Sequence, residues 1–481
     1  MSSNPSGRVH IMGVGGTAMA AMAGMFRQAG WEVRGSDAAR PYPPMSDLLD
    51  GLAIPVLHPY GAENLQWGPD LVVVGNVIRK TNPEAAALLE SGLPFLSMPQ
   101  ALSTHFLEGH RSLVVAGTHG KTTVSSLLAH LLHAQGKDPS YMIGGIPLDF
   151  GANYRLGSGA HFVVEGDEYD TAFFDKGPKF LHYRPDAAII NNVEFDHADI
   201  FRDLDHVIDT FRSLAHIVPD GAPLVAPAGD VNCERAIRGT RARVVTFGLD
   251  KGTWRPTGAT WDQGRVHFRL ERDKEVVGEF ASPMLGVHNL LNTVAALAIL
   301  HEVGAATPDL SAALSCFKGI RKRQEVKGRE NGVTVMDDFA HHPTAVRETL
   351  RAVRRGYPDA RMIALFEPES NTSRRAVFQE DYVEAFKEAD RVLFTTPLEK
   401  PDGLRPEERI DMDRLSADLA DGGVEATLIA DVEELALTAA GEAHPGDVIL
   451  GMSGRDFHGV LARVLKALRR RAGLDTRSGE T

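Results

Sequence analysis

Leu113 to Val124 reads LVVAGTHGKTTV, and the helix-forming run SSLLAHLLHAQG continues from Ser125. An apolar, β-branched stretch enters a glycine-bearing turn and leaves through Lys121, Thr122 and Thr123, which predicts strand, loop and helix in that order. In such a loop the glycines let backbone N–H groups converge on phosphate oxygens, and the helix N-terminus adds partial positive charge. Lys121 then reaches the terminal phosphates and Thr122 can hold Mg²⁺, so the expected guest is a nucleoside triphosphate. The full phosphate-loop pattern also wants a glycine where this chain has Val115. An ordinary strand-to-helix turn with an exposed lysine is the competing reading.

The chain on either side repeats the same alternation. RVHIMG, WEVRGSD and DLVVVG read as strands, and TAMAAMAGMFRQAG and NPEAAALLESG as helices, which implies a parallel, doubly wound sheet near the N-terminus. Its first turn, Gly13 to Ala18, fits the fingerprint GxGxxG/A, and Asp37 follows the second strand where a ribose-binding carboxylate would sit. The same turn also serves any diphosphate, or merely packs helix on strand. Past the triphosphate loop, FVVEGDEYD places Glu165, Asp167, Glu168 and Asp170 after one apolar strand, and AAIINNVEFDHAD places Asn192, Glu194, Asp196 and His197 after the next. Strand carboxyl ends of a parallel sheet form the ligand crevice, so three unlike loops should converge there, with carboxylate and imidazole suited to Mg²⁺ or Mn²⁺.

Residues 221 to 280 change character: RVVTFG, TWRPTGATW, RVHFRLE and VVGEFAS predict an antiparallel flank of the same domain. LGVHNLLNTVAALAILHEVG is a helix with Asn289 and Asn292 on one face, placed either to read an adenine edge or to cap the first turn. From about 315, after the basic turn GIRKRQEVKG, a third α/β unit begins. VTVMDD, RMIALFEPES, RVLFTTP and DVILGMSG are its strands, with Asp337, Asp338, His341, His342, Glu367 and Glu369 at strand ends. Arg323 would reach a transferring phosphate only if this unit closes over the second; a surface salt bridge is the alternative.

Composition sets the outer limits. A chain of 481 residues exceeds one hydrophobic core, and about three domains are expected. The division read from the sequence is 1–107, a Rossmann-like domain; 108–314, a central phosphate-loop α/β domain with the antiparallel flank; and 315–481, a second Rossmann-like domain. Hydrophobic residues at 43% and charged residues at 24% are those of a globular chain, and no apolar run approaches the roughly 20 residues of a membrane helix. MSSNPSGRVHIMG lacks an apolar signal core, and the two cysteines, Cys233 and Cys316, argue against a disulfide frame; a cytoplasmic location is expected. A formal charge of −13 opposes nucleic-acid partners and suits small-molecule enzymology, and the basic RVLKALRRR reads as a helix ending in cationic turns.

Taken together, GVGGTAM at 13 to 19, GTHGKTT at 117 to 123, EGDEYD at 165 to 170, NNVEFDH at 191 to 197, HNLLN at 288 to 292 and DDFAHHP at 337 to 343 resemble the Mur ligases, ATP-dependent amide-forming enzymes of peptidoglycan synthesis. In that family GTHGKTT is the usual loop, so Val115 is expected. GTHGKTT and AHHP look like the branch acting on UDP-N-acetylmuramate. EGDEYDTAFFDKGPKFLHYRP and FEPESNT are similar to those of its members that attach recycled L-Ala-γ-D-Glu-meso-diaminopimelate, rather than L-alanine. The resemblance implies that Gly117, Thr118, His119, Gly120, Lys121, Thr122 and Thr123 hold ATP phosphates. It implies that Thr122, Glu165 and His197 ligate Mg²⁺, and that Asn289, Asn292, Arg323 and Asp338 hold the nucleotide. Gly15, Gly16, Ser36 and Asp37 would face the UDP part, and Asp167, Glu168, Ser370 and Asn371 the substrates. Catalysis would rest on Lys121, Arg323 and His341 or His342, through an acyl phosphate. Two departures stand out: residues 198 to 220 contain no lysine where several relatives carry a carbamylated one, and Glu369 stands where arginine usually follows EP. An NAD-dependent oxidoreductase, from the first glycine turn, and a non-catalytic nucleotide sensor are the readings from other classes.

Overall fold

Strand Arg8–Met12 buries Val9, Ile11 and Met12 completely and sits at the centre of a five-stranded parallel sheet. The order is Val56–Leu57, Glu32–Ser36, Arg8–Met12, Leu71–Val74, Phe95–Ser97, the doubly wound arrangement expected from the alternation. This computed structural model describes residues 7–42, 45–195, 200–262, 265–399, 403–471 and 473. Helix Pro83–Ser91 begins where Asn82 accepts from the N–H groups of Glu84 and Ala85, and it ends at Gly92, whose φ of 71° is the left-handed conformation that terminates helices cheaply only in glycine.

The central sheet has ten strands. The triphosphate-loop strand Arg111–Ala116 lies between Ala187–Ile190 and His161–Gly166, all three parallel, so the loops named from sequence emerge side by side from one edge. The flank needs one correction. Arg243–Phe247 pairs parallel with Pro223–Pro227, extending the parallel sheet, and the antiparallel part is only the meander Trp254–Asp262, Arg265–Arg272, Glu275–Ser282. The crossover before Arg243 is a helix of six residues, Val231–Ala236, too short to leave an amphipathic period in the sequence.

The last sheet has six strands, parallel except for its edge strand Glu325–Glu330. That strand occupies what reads in sequence as a basic turn; its charged residues are those that protect a sheet edge from pairing with other chains. The basic C-terminal run is the end of helix Val460–Arg471, as expected.

The three sheets are not independent. Helix Thr17–Gln28 packs on the central edge strand Tyr154–Arg155 so closely that a Cβ at Gly24 would stand 2.2 Å from Tyr154, and the two sheets share one continuous apolar core. The third sheet's helix Pro343–Gly356 meets the central unit at Gly286 and Gly356, where added Cβ atoms would lie 2.5 Å from Ala352 and 2.4 Å from Leu285. No helix among the described residues is long and apolar enough to cross a membrane.

Candidate active site

Gly117 (φ 139°) and Gly120 (φ 82°) give the phosphate loop its shape, and both are closely packed: Cβ atoms there would come within 3.0 Å of Asn191 Cβ and 2.4 Å of Asn191 Nδ2. Helix Lys121–Ala134 starts directly behind, with no side chain capping its first N–H groups. The neighbouring strand end braces the loop. Asn192 Oδ1 accepts from the His119 N–H at 2.7 Å, its Nδ2 donates to His119 O at 3.0 Å, and Thr118 Oγ1 accepts from the Glu194 N–H at 2.9 Å.

Lys121 Nζ donates to Gly117 O at 2.7 Å and to the buried Glu168 carboxylate at 2.8 Å. Burial alone would lower this ammonium, but Glu168, Asp167 and Glu165 outweigh it and hold the Lys121 pKa above its ordinary value. The cation is therefore permanent. Thr122 Oγ1 donates to Glu165 Oε1 at 3.0 Å, and Glu165 Oε2 accepts from the Gly144 N–H at 2.8 Å. Burial raises the Glu165 pKa in spite of those hydrogen bonds. Two hard oxygen donors side by side at a helix start fit a Mg²⁺ ion that takes its remaining ligands from phosphate and water. Among the described residues no three His, Cys, Asp or Glu side chains converge on a metal position, and His197 lies outside the described residues. Asp167, pulled below the ordinary carboxylate range by Lys179 despite its burial, pairs with that lysine. Lys179 was visible in the sequence only as part of the stretch EGDEYDTAFFDKGPKFLHYRP, with no role of its own.

Asn289 and Asn292 are both buried and connected to the loop. Asn289 Nδ2 donates to Leu285 O at 2.9 Å, Asn292 Nδ2 to Asn289 Oδ1 at 3.1 Å, and Asn191 Nδ2 to Asn292 Oδ1 at 2.7 Å and His119 O at 3.0 Å. Neither caps the first turn in the ordinary sense. Next to them, burial, then the charges of Arg323 and His119, push His288 down to about 4, so it is neutral at physiological pH.

The third unit supplies the facing wall. The buried Asp338 carboxylate accepts from the N–H groups of Gln324 and Ala340, each at 2.8 Å, so it shapes the loop that carries the histidines; burial raises its pKa against the pull of Arg323. The Arg323 guanidinium stacks over Phe339 at 5.0 Å and forms no salt bridge among the described residues. His341 Nδ1 lies 2.9 Å from Phe339 O, an acceptor only, so Nδ1 carries the hydrogen and Nε2 the lone pair. His342 differs: its Nδ1 accepts from the Thr344 N–H at 3.2 Å and caps helix Pro343–Gly356. Ser370 shares its hydroxyl with Ser373 at 2.9 Å, and Asn371 Oδ1 accepts from Arg374 at 3.3 Å. The two units touch at the loop itself. The His119 and His342 rings are 5.3 Å apart, His119 Nε2 is 3.6 Å from Glu194 Oε2, and Thr344 Oγ1 donates to Glu194 Oε2 at 3.4 Å.

In the first unit Asp37 Oδ2 accepts from the Gly15 N–H at 2.8 Å and Asp37 Oδ1 from Tyr60 at 3.3 Å, and Gly16 opens helix Thr17–Gln28. Ser36 joins the glycine turn through its backbone, its carbonyl accepting from the N–H groups of Gly13 and Val14 at 2.8 and 3.1 Å, while its side chain is fully buried and donates to Glu84 Oε1 at 2.6 Å.

Three family matches tile this arrangement: the Mur ligase family catalytic domain over residues 8–109, the Mur ligase middle domain over 115–300, and the Mur ligase glutamate ligase domain over 322–455. The chain is 40% identical over 468 residues, 97% of its length and 99% of the relative's, to the UDP-N-acetylmuramate–L-alanyl-γ-D-glutamyl-meso-2,6-diaminoheptandioate ligase of Escherichia coli (strain K12). It is 33% identical to the UDP-N-acetylmuramate–L-alanine ligase of Caldanaerobacter subterraneus subsp. tengcongensis, over 81% of this chain and 82% of that one. The solved murein peptide ligase of Psychrobacter arcticus 273-4 superposes with a TM-score of 0.71 at 32% identity, covering 96% of this chain and 99% of that one. Matched by the family's three domains and by relatives along nearly its full length, the chain belongs to the Mur ligase family.

Proposed function

We propose that this chain joins L-Ala-γ-D-Glu-meso-diaminopimelate to the lactyl carboxylate of UDP-N-acetylmuramate at the expense of ATP, as a recycling step of peptidoglycan metabolism. The observation that carries the reading is the near full-length likeness to a ligase of that specificity, stronger than the likeness to the L-alanine ligase. The crevice suits the chemistry. A carboxylate is a poor electrophile, so one of its oxygens attacks the γ-phosphorus of ATP, ADP leaves, and an acyl phosphate forms. The alanine amine then attacks the acyl carbon and phosphate departs.

Lys121 and Arg323 would stabilise charge on the transferring phosphoryl group. The backbone of Gly117 to Thr123 would cradle the nucleotide phosphates. Thr122 and Glu165 would hold Mg²⁺, which when bound neutralises phosphate charge. His341 is better placed than His342 to take the ammonium proton, because its Nε2 carries the lone pair while His342 serves its helix. Gly15, Gly16 and Asp37 would receive the UDP group in the first domain, 1–107, and the domain 315–481 would receive the peptide. Phosphate should be released only when UDP-N-acetylmuramate, ATP, Mg²⁺ and the tripeptide are present together, and Lys121→Ala should abolish release without changing the circular dichroism spectrum. Faster turnover of free L-alanine than of the tripeptide would overturn the assignment of the acceptor.

A further inference from the structure

Glu369 and Arg455 form an ion pair that nothing in the phosphate chemistry uses. Strands Val333–Asp338, Val448–Met452 and Met362–Phe366 are neighbours in the third sheet, and their following loops are stitched into one rim. The Ser453 N–H donates to Asp338 O at 3.1 Å, the Glu367 N–H to Met452 O at 3.2 Å, and Ser453 Oγ to Glu367 Oε2 at 2.5 Å. Within the rim, Arg455 Nε lies 3.3 Å from Glu369 Oε2; the Glu369 side chain is 8% exposed and that of Arg455 45%. Gly454 permits this pairing, since a Cβ there would stand 2.2 Å from Glu369 Oε1.

A buried carboxylate thus holds a half-exposed guanidinium by its Nε, and the Nη hydrogens of the fork remain suited to a second carboxylate. The position fits the far end of the acceptor. With His341 as the base, the amine end would lie at the loop that meets the phosphate loop through His342 and Thr344, and Arg455 follows the next strand of the sheet, a step of about 4.8 Å per strand plus the reach of its own side chain. We propose that Arg455, positioned by Glu369, binds the side-chain carboxylate of the third peptide residue and so selects diaminopimelate over lysine, which is identical there except for lacking that carboxylate. The proposal rests on the tripeptide reading of the acceptor.

The test compares the full-length enzyme with its Arg455→Ala and Glu369→Gln variants on two acceptors, the diaminopimelate tripeptide and its lysine analogue. Losing one charge-assisted contact should lower kcat/KM of Arg455→Ala for the diaminopimelate peptide about 10- to 100-fold, mostly through KM, with the lysine peptide affected far less. KM for ATP and UDP-N-acetylmuramate should not move. Glu369→Gln should shift peptide discrimination in the same direction by a smaller factor, as expected of a positioning residue. Equal losses on both peptides, or none on either, would overturn the role of Arg455 while leaving the tripeptide reading intact. A wild-type enzyme that prefers free L-alanine would overturn that reading, and the proposal with it, before any variant is measured.

Discussion

Glu84 is a carboxylate buried without exposure, and every oxygen lone pair it presents is used. Oε1 accepts from Ser36 Oγ at 2.6 Å and meets His10 Nε2 at 2.7 Å; Oε2 accepts from Asn64 Nδ2 at 2.7 Å and the Gly61 N–H at 3.2 Å. Burial works to raise its pKa, but the hydrogen bonds from His10, Ser36 and Asn64 prevail and lower it below 4.5. The folded value being below the unfolded one, the contribution of this group is complete above the unfolded pKa and is lost as pH falls through the folded one. Glu84→Ala, which strands several buried donors, should destabilise the first unit by about 3–5 kcal/mol at pH 7. Glu84→Gln should cost less, and its deficit against wild type should shrink as the medium is acidified below 4.5, read as the midpoint of the first unfolding transition at several pH values. A deficit independent of pH would refute the assignment. The partner of the Ser36 hydroxyl was not legible in the sequence for the same reason: Glu84 lies far along the chain and is brought beneath the serine only by the fold.

At the scale of elements, the triphosphate loop was legible because its chemistry is local: strand, glycines, lysine and helix lie within twelve consecutive residues, Leu113 to Val124. The convergence of three strand ends was legible too, since parallel order follows from alternation. What escaped was non-local. The asparagine relay from Leu285 through Asn289, Asn292 and Asn191 to His119 joins segments about a hundred positions apart, and Glu325–Glu330 is a strand whose charged residues mimic a turn. The relay has a consequence for Gly120. At φ 82° it is strained for any L residue, and a Cβ would stand 2.4 Å from Asn191 Nδ2 and 2.6 Å from Asn292 Oδ1. Gly120→Ala should raise the KM for ATP by at least about tenfold, because small displacements of a phosphate cradle are costly, while UDP-N-acetylmuramate affinity measured by calorimetry stays unchanged. Weakened binding of both ligands would instead mean global damage.

At the scale of the molecule, the first two units share one apolar core, whereas the third meets the central unit through a few polar contacts at the phosphate loop and two close-packed glycines, Gly286 and Gly356. With that asymmetry the third unit is the one expected to move. Glu194 is the junction: the His119 imidazole 3.6 Å away and then the charge of His342 hold its carboxylate below the ordinary range against burial, and Thr344 donates to it. An acyl phosphate is hydrolysable, so if this contact seals the crevice the intermediate should survive until the amine attacks. A chain that closes well should release one phosphate per amide formed. Replacing Glu194 by alanine removes the acceptor that ties helix Pro343–Gly356 to the loop, without touching Lys121, Thr122 or Glu165. Phosphate release should then outrun amide formation, the excess growing as the peptide concentration is lowered, because the exposed intermediate is lost to water while it waits. Small-angle scattering should show a larger radius of gyration for the variant under the same ligands. If the phosphate-to-amide ratio stays at unity while turnover falls, Glu194 serves the phosphoryl transfer itself and the contact between the units has no part in protecting the intermediate.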